Sequence, residues 1–159
     1  MIKQKGFFMF GLLFAIFVFN IACFKENKLL NKNQIAHIWM FTVAFQTMSE
    51  LYINLKYRAY WYFTPNVDVY AFLPLALLVP PVNILFLNWY PYNNSIKEKV
   101  LYFLYWEIFI VAYEVITLLP EPWGYFNYGW WNLGLSILVD PILLFILLKY
   151  YKAFVRTAE

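Results

Sequence analysis

The stretch YWEIFIVAYEVITLLPEPWGYFNYGWWN, residues 105–132, sets Glu107 and Glu114 inside a run otherwise suited to hydrocarbon. An apolar run of about 20 residues is long enough to cross a bilayer as a helix, so this one reads as a membrane span. A carboxylate at mid-membrane costs at least ~2.5–3.5 kcal/mol. The two acids therefore need a reason to be there, and the rest of the chain is read with that question open.

Composition points the same way. Of 159 residues, 64% are hydrophobic, 24% aromatic and only 13% charged, against roughly 25% charged in soluble domains. Such a chain has too little polar surface to cover itself in water. The reading is an all-α integral membrane bundle of about five transmembrane helices, one domain over residues 1–159. The net charge of +3 is modest, and the basic residues cluster at the ends of apolar runs, where they anchor helices at the headgroups. Nucleic acid is not an expected partner. Cys23 and His37 are the only residues of their types, which rules out an internal disulfide and a Cys/His metal cluster. No cofactor is expected.

The predicted spans cover about residues 7–24, 34–53, 69–90, 100–119 and 130–149. Lys3 and Lys5 before the first give it the outline of a signal peptide. However, NIAC puts Asn20 where a lipoprotein signal wants an aliphatic residue, and the segment is read as a span. Five spans place Lys3, Lys5, Lys56 and Arg58 on one side. Lys25, Lys28, Lys32, Lys97, Lys99, Lys149, Lys152 and Arg156 fall on the other. The excess of basic residues marks the cytoplasmic side, so the N-terminus is expected outside and the C-terminus in the cytoplasm of a cell membrane. The outer loops then become NLKYRAYWYFTPNVD and PEPWGYFNYGWW. Their aromatics suit an interfacial belt or an aromatic cap over the mouth of the bundle.

Glu107 and Glu114 lie seven residues apart, within about 20° of one helix face and roughly 10 Å apart along the axis. Asp140 falls near the middle of the fifth span and Glu50 near the outer end of the second. Asn83 and Asn132 add amides. Several buried acids weaken insertion unless they face partners or water. Glu107, Glu114 and Asp140 are therefore expected to point inward, with at least Glu107 or Asp140 protonated. Asp140-Pro141 and the run LVPPVN interrupt their helices: proline removes a donor and frees the carbonyl four residues back, which must find protein or water. Gly129, Gly134 and Ser136 are small enough for close helix contact. The bulky aromatics elsewhere imply loose crossings with space between helices, enough for an elongated apolar ligand.

From Lys56 to Lys152 the chain resembles a family of small multi-pass membrane proteins from spore-forming Firmicutes. The residues that carry the likeness are KYRAYWYF, LNWYPYNNSIKEK, Tyr113-Glu114, the aromatic loop with WWN, Asp140-Pro141 and YYK. The resemblance implies a bacterial membrane location, and the family brings no established activity. A looser likeness is to membrane-embedded lycopene and terpene cyclases, whose inward acids guide an isoprenoid. Their motif would fall at Pro120-Glu121-Pro122, where the paired acids are missing.

Three functions follow as expectations. The first is an inward carboxylate site, formed from Glu107, Glu114, Asp140, Glu50, Asn83 and Asn132, that binds a proton, a cation or a small ligand. The second is an accessory subunit pairing with another membrane protein or with a second copy. The third is a membrane enzyme acting on a lipid or isoprenoid. No nucleophile–base pair or phosphate loop favours catalysis, so no catalytic or metal-binding residue is assigned. The bilayer is the one partner common to all three.

Overall fold

A computed structural model of the chain describes residues 9–66 and 69–156. Lys3 and Lys5, used in the orientation count, and the start of the first predicted span lie outside the described residues. Among these residues run five α-helices: α1 (Phe10–Glu26), α2 (Lys32–Glu50), α3 (Val79–Trp89), α4 (Ile96–Thr117) and α5 (Leu133–Tyr150). Single π-helical stretches extend α2 through Leu51–Lys56, precede α3 as Pro74–Leu78 and extend α5 through Tyr151–Val155.

Helix starts are set by caps, which hydropathy does not register. Asn31 and Gln34 form a reciprocal capping box, so α2 begins at Lys32 rather than residue 34. Ser95 Oγ accepts from the Glu98 N–H at 3.4 Å, and the Glu98 carboxylate accepts from the Ser95 N–H at 3.0 Å. That box starts α4 four residues before the apolar run. The Asn132 side chain accepts from the Leu135 N–H at 3.2 Å, which starts α5 at Leu133.

Three stretches among the described residues are long and apolar enough to cross a membrane: Val69–Trp89, Ile96–Thr117 and Leu133–Val155. Away from their ends, their outer faces are mostly apolar. Tyr105 is 69% exposed and Leu138 67%, as suits helices whose surroundings are lipid rather than water. The described part of α1 is 17 residues, short for a span on its own. Polar residues dilute α2: Gln34, Thr42, Gln46, Ser49 and Glu50 all lie on it. Gln34, Thr42 and Glu50 are buried, so α2 reads as less apolar because its polar residues point into the protein.

The proline pair finds protein rather than water. Pro80 removes the donor for Ala76 and Pro81 the donor for Leu77. The Trp39 indole N–H donates to the Ala76 carbonyl at 3.0 Å, and the Asn20 amide donates to the Leu77 carbonyl at 2.8 Å. One residue from α1 and one from α2 thus repair the α3 backbone and clamp it between them. α3 contributes the unbroken buried run Ile84–Leu85–Phe86–Leu87 to the main core. Phe86 is wholly buried against Trp106 and Phe103 of α4, with ring centroids 5.6 and 5.4 Å away. Leu144, Leu147, Leu148 and Tyr151 close this core from the last helix. Asn88 fastens the loop at the same end, accepting from the Lys28 and Leu29 N–H groups and donating to the Glu26 carbonyl.

Six residues depart from the all-α expectation. β1 (Tyr60–Tyr62) pairs antiparallel with β2 (Phe126–Tyr128), with Tyr60 opposite Tyr128 and Tyr62 opposite Phe126. These are the two aromatic loops of the sequence, joined as a ribbon. Side chains alternate across a strand, so Tyr60, Tyr62, Phe126 and Tyr128 share one face and Trp61 and Asn127 the other. Residues on both flanks hold the ribbon: the Phe63 N–H donates to the Tyr125 carbonyl, and the Ala59 carbonyl accepts from Gly129 and Trp131.

Candidate functional site

Beneath the ribbon the helices part and leave a cavity of about 300 Å³. Every helix contributes to its wall. Phe19 comes from α1; Thr42, Phe45 and Gln46 from α2; Asn83 from α3; Phe109, Tyr113 and Glu114 from α4; and Ser136, Asp140 and Leu143 from α5. The ribbon side adds Tyr60, Tyr62, Tyr125 and Phe126. The lining is mostly carbon, with carboxylates among it. Among the described residues no lysine, arginine or histidine lines the cavity.

Glu114 is anchored through one oxygen. Its Oε1 accepts from the Tyr128 hydroxyl of β2 at 2.5 Å and from Ser136 Oγ of α5 at 2.6 Å. Ser136 Oγ in turn accepts from the Trp131 indole N–H at 2.8 Å, making a chain from loop to hydroxyl to carboxylate. Ser136, small enough for close helix contact, is buried and donates its hydroxyl to Glu114. Beside it, the Tyr113 and Tyr125 hydroxyls share a hydrogen bond of 2.9 Å.

Glu50 anchors the other strand. Its Oε1 accepts from the Tyr60 hydroxyl at 2.7 Å, with Tyr62 at the 3.5 Å limit, and its Oε2 accepts from Asn54 at 3.0 Å. Burial first, and the charge of Glu50 second, push the Tyr60 hydroxyl well above the ordinary tyrosine range. Burial followed by its bond to Glu114 raises Tyr128 as well. Both ribbon tyrosines therefore stay protonated and remain donors. Each strand is pinned to a different acid, β1 to Glu50 and β2 to Glu114.

Asp140 shares the cavity wall with Glu114, but its Oδ2 is buried and accepts no hydrogen bond. Glu107 takes a different position. Both its oxygens are buried without a partner, and it lies in a cleft between α4 and α5 lined by Lys99, Phe103, Pro141 and Phe145. Of the three acids expected to face inward together, Glu114 and Asp140 both line the cavity, and Glu107 lies in the α4–α5 cleft beside Pro141. Glu50 lies behind the tyrosines that line the cavity. Asn83 is on the wall and donates to Thr42 Oγ1 at 3.0 Å. Asn132 is exposed and caps α5, outside the cavity.

Sequence reasoning passed over Tyr60, Tyr128, Trp131 and Thr42. The tyrosines sit in Tyr60-Trp61-Tyr62 and Phe126-Asn127-Tyr128, segments too short to show a strand period, in loops whose aromatics suit an interface equally well. Among the described residues no group of three His, Cys, Asp or Glu side chains is arranged to hold a metal ion.

No family model, curated protein or solved structure matches this chain.

Proposed function

We propose that the chain is a five-span membrane protein, N-terminus outside and C-terminus cytoplasmic, whose cavity binds a proton or a monovalent cation at Asp140. Glu114 serves as the anchored acceptor beside it and the tyrosine ribbon covers the outer end. The positive-inside count supports the orientation. The five-span reading draws on α1 and α2 packing beside the three clearly apolar helices and on the inward polarity of α2. The resemblance to small Firmicutes membrane proteins is consistent with the bacterial setting.

One observation carries the reading: two carboxylates line a cavity with no basic side chain among its described lining, and only one has its donors supplied. Glu114 Oε1 receives two hydroxyl protons, while Asp140 Oδ2 receives none. A buried carboxylate without a donor or a counter-charge is held at a large desolvation cost. A proton or a cation at that oxygen removes the cost, and the two compete for it.

Infrared difference spectroscopy on the protein in lipid nanodiscs tests this. The protonated-carboxyl band of Asp140, assigned by its loss in Asp140→Asn, is expected to shrink as sodium or potassium is raised at fixed pH. A band indifferent to both salts removes the cation and leaves a proton site, and the absence of any protonated-carboxyl band that Asp140→Asn abolishes ends the proposal.

A second reading rests on Glu107. Its two unpartnered oxygens in a lipid-side cleft suit an accessory subunit, in which a donor from a neighbouring membrane helix fills the cleft. Glu107→Leu would then disperse a co-purifying complex; an unchanged complex, or none in the wild type, removes this reading.

A further inference from the structure

We infer that the cavity takes an organic monocation, an ammonium carrying one apolar or aromatic substituent, with the charge at Asp140 and the substituent among the rings. This rests on the carboxylate site proposed above and names the ligand that fits it. Volume comes first. About 300 Å³ is far more than a proton or a bare metal ion occupies, and it stands at the lower end of small-molecule sites, roughly 300–1,000 Å³.

Chemistry narrows the class. The polar donors sent in from the ribbon side are already committed: Tyr60 to Glu50, Tyr128 to Glu114 and Trp131 to Ser136. Gln46 and one proton of the Tyr113–Tyr125 pair are left for neutral hydrogen bonds, but the acid oxygen left open is Asp140 Oδ2, so the ligand brings the positive charge. Anionic ligands face two like charges with no basic lining to offset them. Divalent cations such as calcium and magnesium want about six or more oxygen ligands, which a wall this rich in carbon does not offer. An ammonium with low charge density loses less on leaving water, and aromatic faces such as Phe109, Tyr113 and Trp131 attract it by cation–π contact. The same rings bury its apolar part.

The test uses the full chain in lipid nanodiscs and two probes of one shape: benzyltrimethylammonium and its carbon isostere neopentylbenzene. Binding is read by quenching of tryptophan fluorescence, with partition into protein-free nanodiscs subtracted. The cation is expected to bind at least tenfold more tightly than the isostere. Asp140→Asn is expected to erase that preference while leaving isostere binding within about twofold, which also shows that the variant keeps its fold. Equal binding of the two probes overturns the inference, and so does failure of the cation to bind. If sodium still displaces the Asp140 proton in either case, the carboxylate site stands and only the ligand class falls. The absence of the Asp140 carboxyl band removes both.

Discussion

The two ends of this bundle are built from the same helices by opposite rules. At the end near Phe86 and Tyr90, side chains fill the interior and the core is aromatic and aliphatic. At the ribbon end, the helices separate around a cavity and the acids gather. α4 gives Trp106 to the first and Glu114 to the second; α5 gives Leu148 to the first and Asp140 to the second. A single helix thus changes from packing element to wall within about two turns. The difference teaches that the packed end supplies the stability that the hollow end spends. Close packing is the main attraction between helices in lipid, and it is concentrated where no site is needed.

The largest effect to expect is at the packed end. Phe86→Ala deletes a wholly buried ring and is expected to cost about 3–5 kcal/mol, read from reversible unfolding in mixed micelles. Phe45→Ala, on the cavity wall, removes a ring that already borders empty space and is expected to cost under half as much. Equal costs would mean that the two ends are packed alike, and the contrast would fail.

Next in size is the latch between ribbon and bundle. Tyr128→Phe removes one charge-assisted bond to Glu114 and is expected to cost about 1.5–3 kcal/mol. In a Glu114→Gln background the same change is expected to cost clearly less, giving a coupling of about 1 kcal/mol in a double-mutant cycle. Purely additive costs would show that the ribbon rests on the helices without using the acid, and the hollow end would lose its distinctive chemistry.

The packed end was the more legible in sequence. The three apolar stretches Val69–Trp89, Ile96–Thr117 and Leu133–Val155 and their order follow from hydropathy, because a helix in lipid must satisfy its own backbone. The caps moved helix starts by a few residues because a capping bond is local and hydropathy averages over it. The pairing of Tyr60 with Tyr128 was not legible: it joins residues far apart in the chain, in segments too short for a pattern to declare itself. Placing Glu107 in a different compartment from Glu114 was equally out of reach. A seven-residue spacing fixes the face of one helix, but the neighbouring helix decides what that face meets.

Smaller, and set between the two ends, is the repair of the proline pair. Trp39→Phe leaves the Ala76 carbonyl without its indole donor and is expected to cost about 0.6 kcal/mol, the average for such bonds in membranes. Asn20→Leu is expected to cost a similar amount at Leu77. A cost near zero for both would mean that water entering from the cavity takes over the two carbonyls, which would extend the wet region towards the packed end.

The smallest effect sharpens the contrast between acids. Glu98, exposed at the packed end, sits in the Ser95 capping box, whose hydrogen bonds hold its carboxyl below the ordinary value of 4.5. A lowered folded value means that the bond stabilises the helix start above about pH 4.5 and loses its contribution as pH falls through the folded value. Between pH 5 and 3, amide exchange at Lys97, Glu98 and Lys99, corrected for its intrinsic pH dependence, is therefore expected to quicken slightly, and Ser95→Ala is expected to abolish the response. The change should stay within the first turn of α4, since an exposed acid gives up its charge to water without disturbing its neighbours. If acidification instead loosens the Phe86 core, the titrating acids of the hollow end are coupled to the packed end, and the two ends are one cooperative unit.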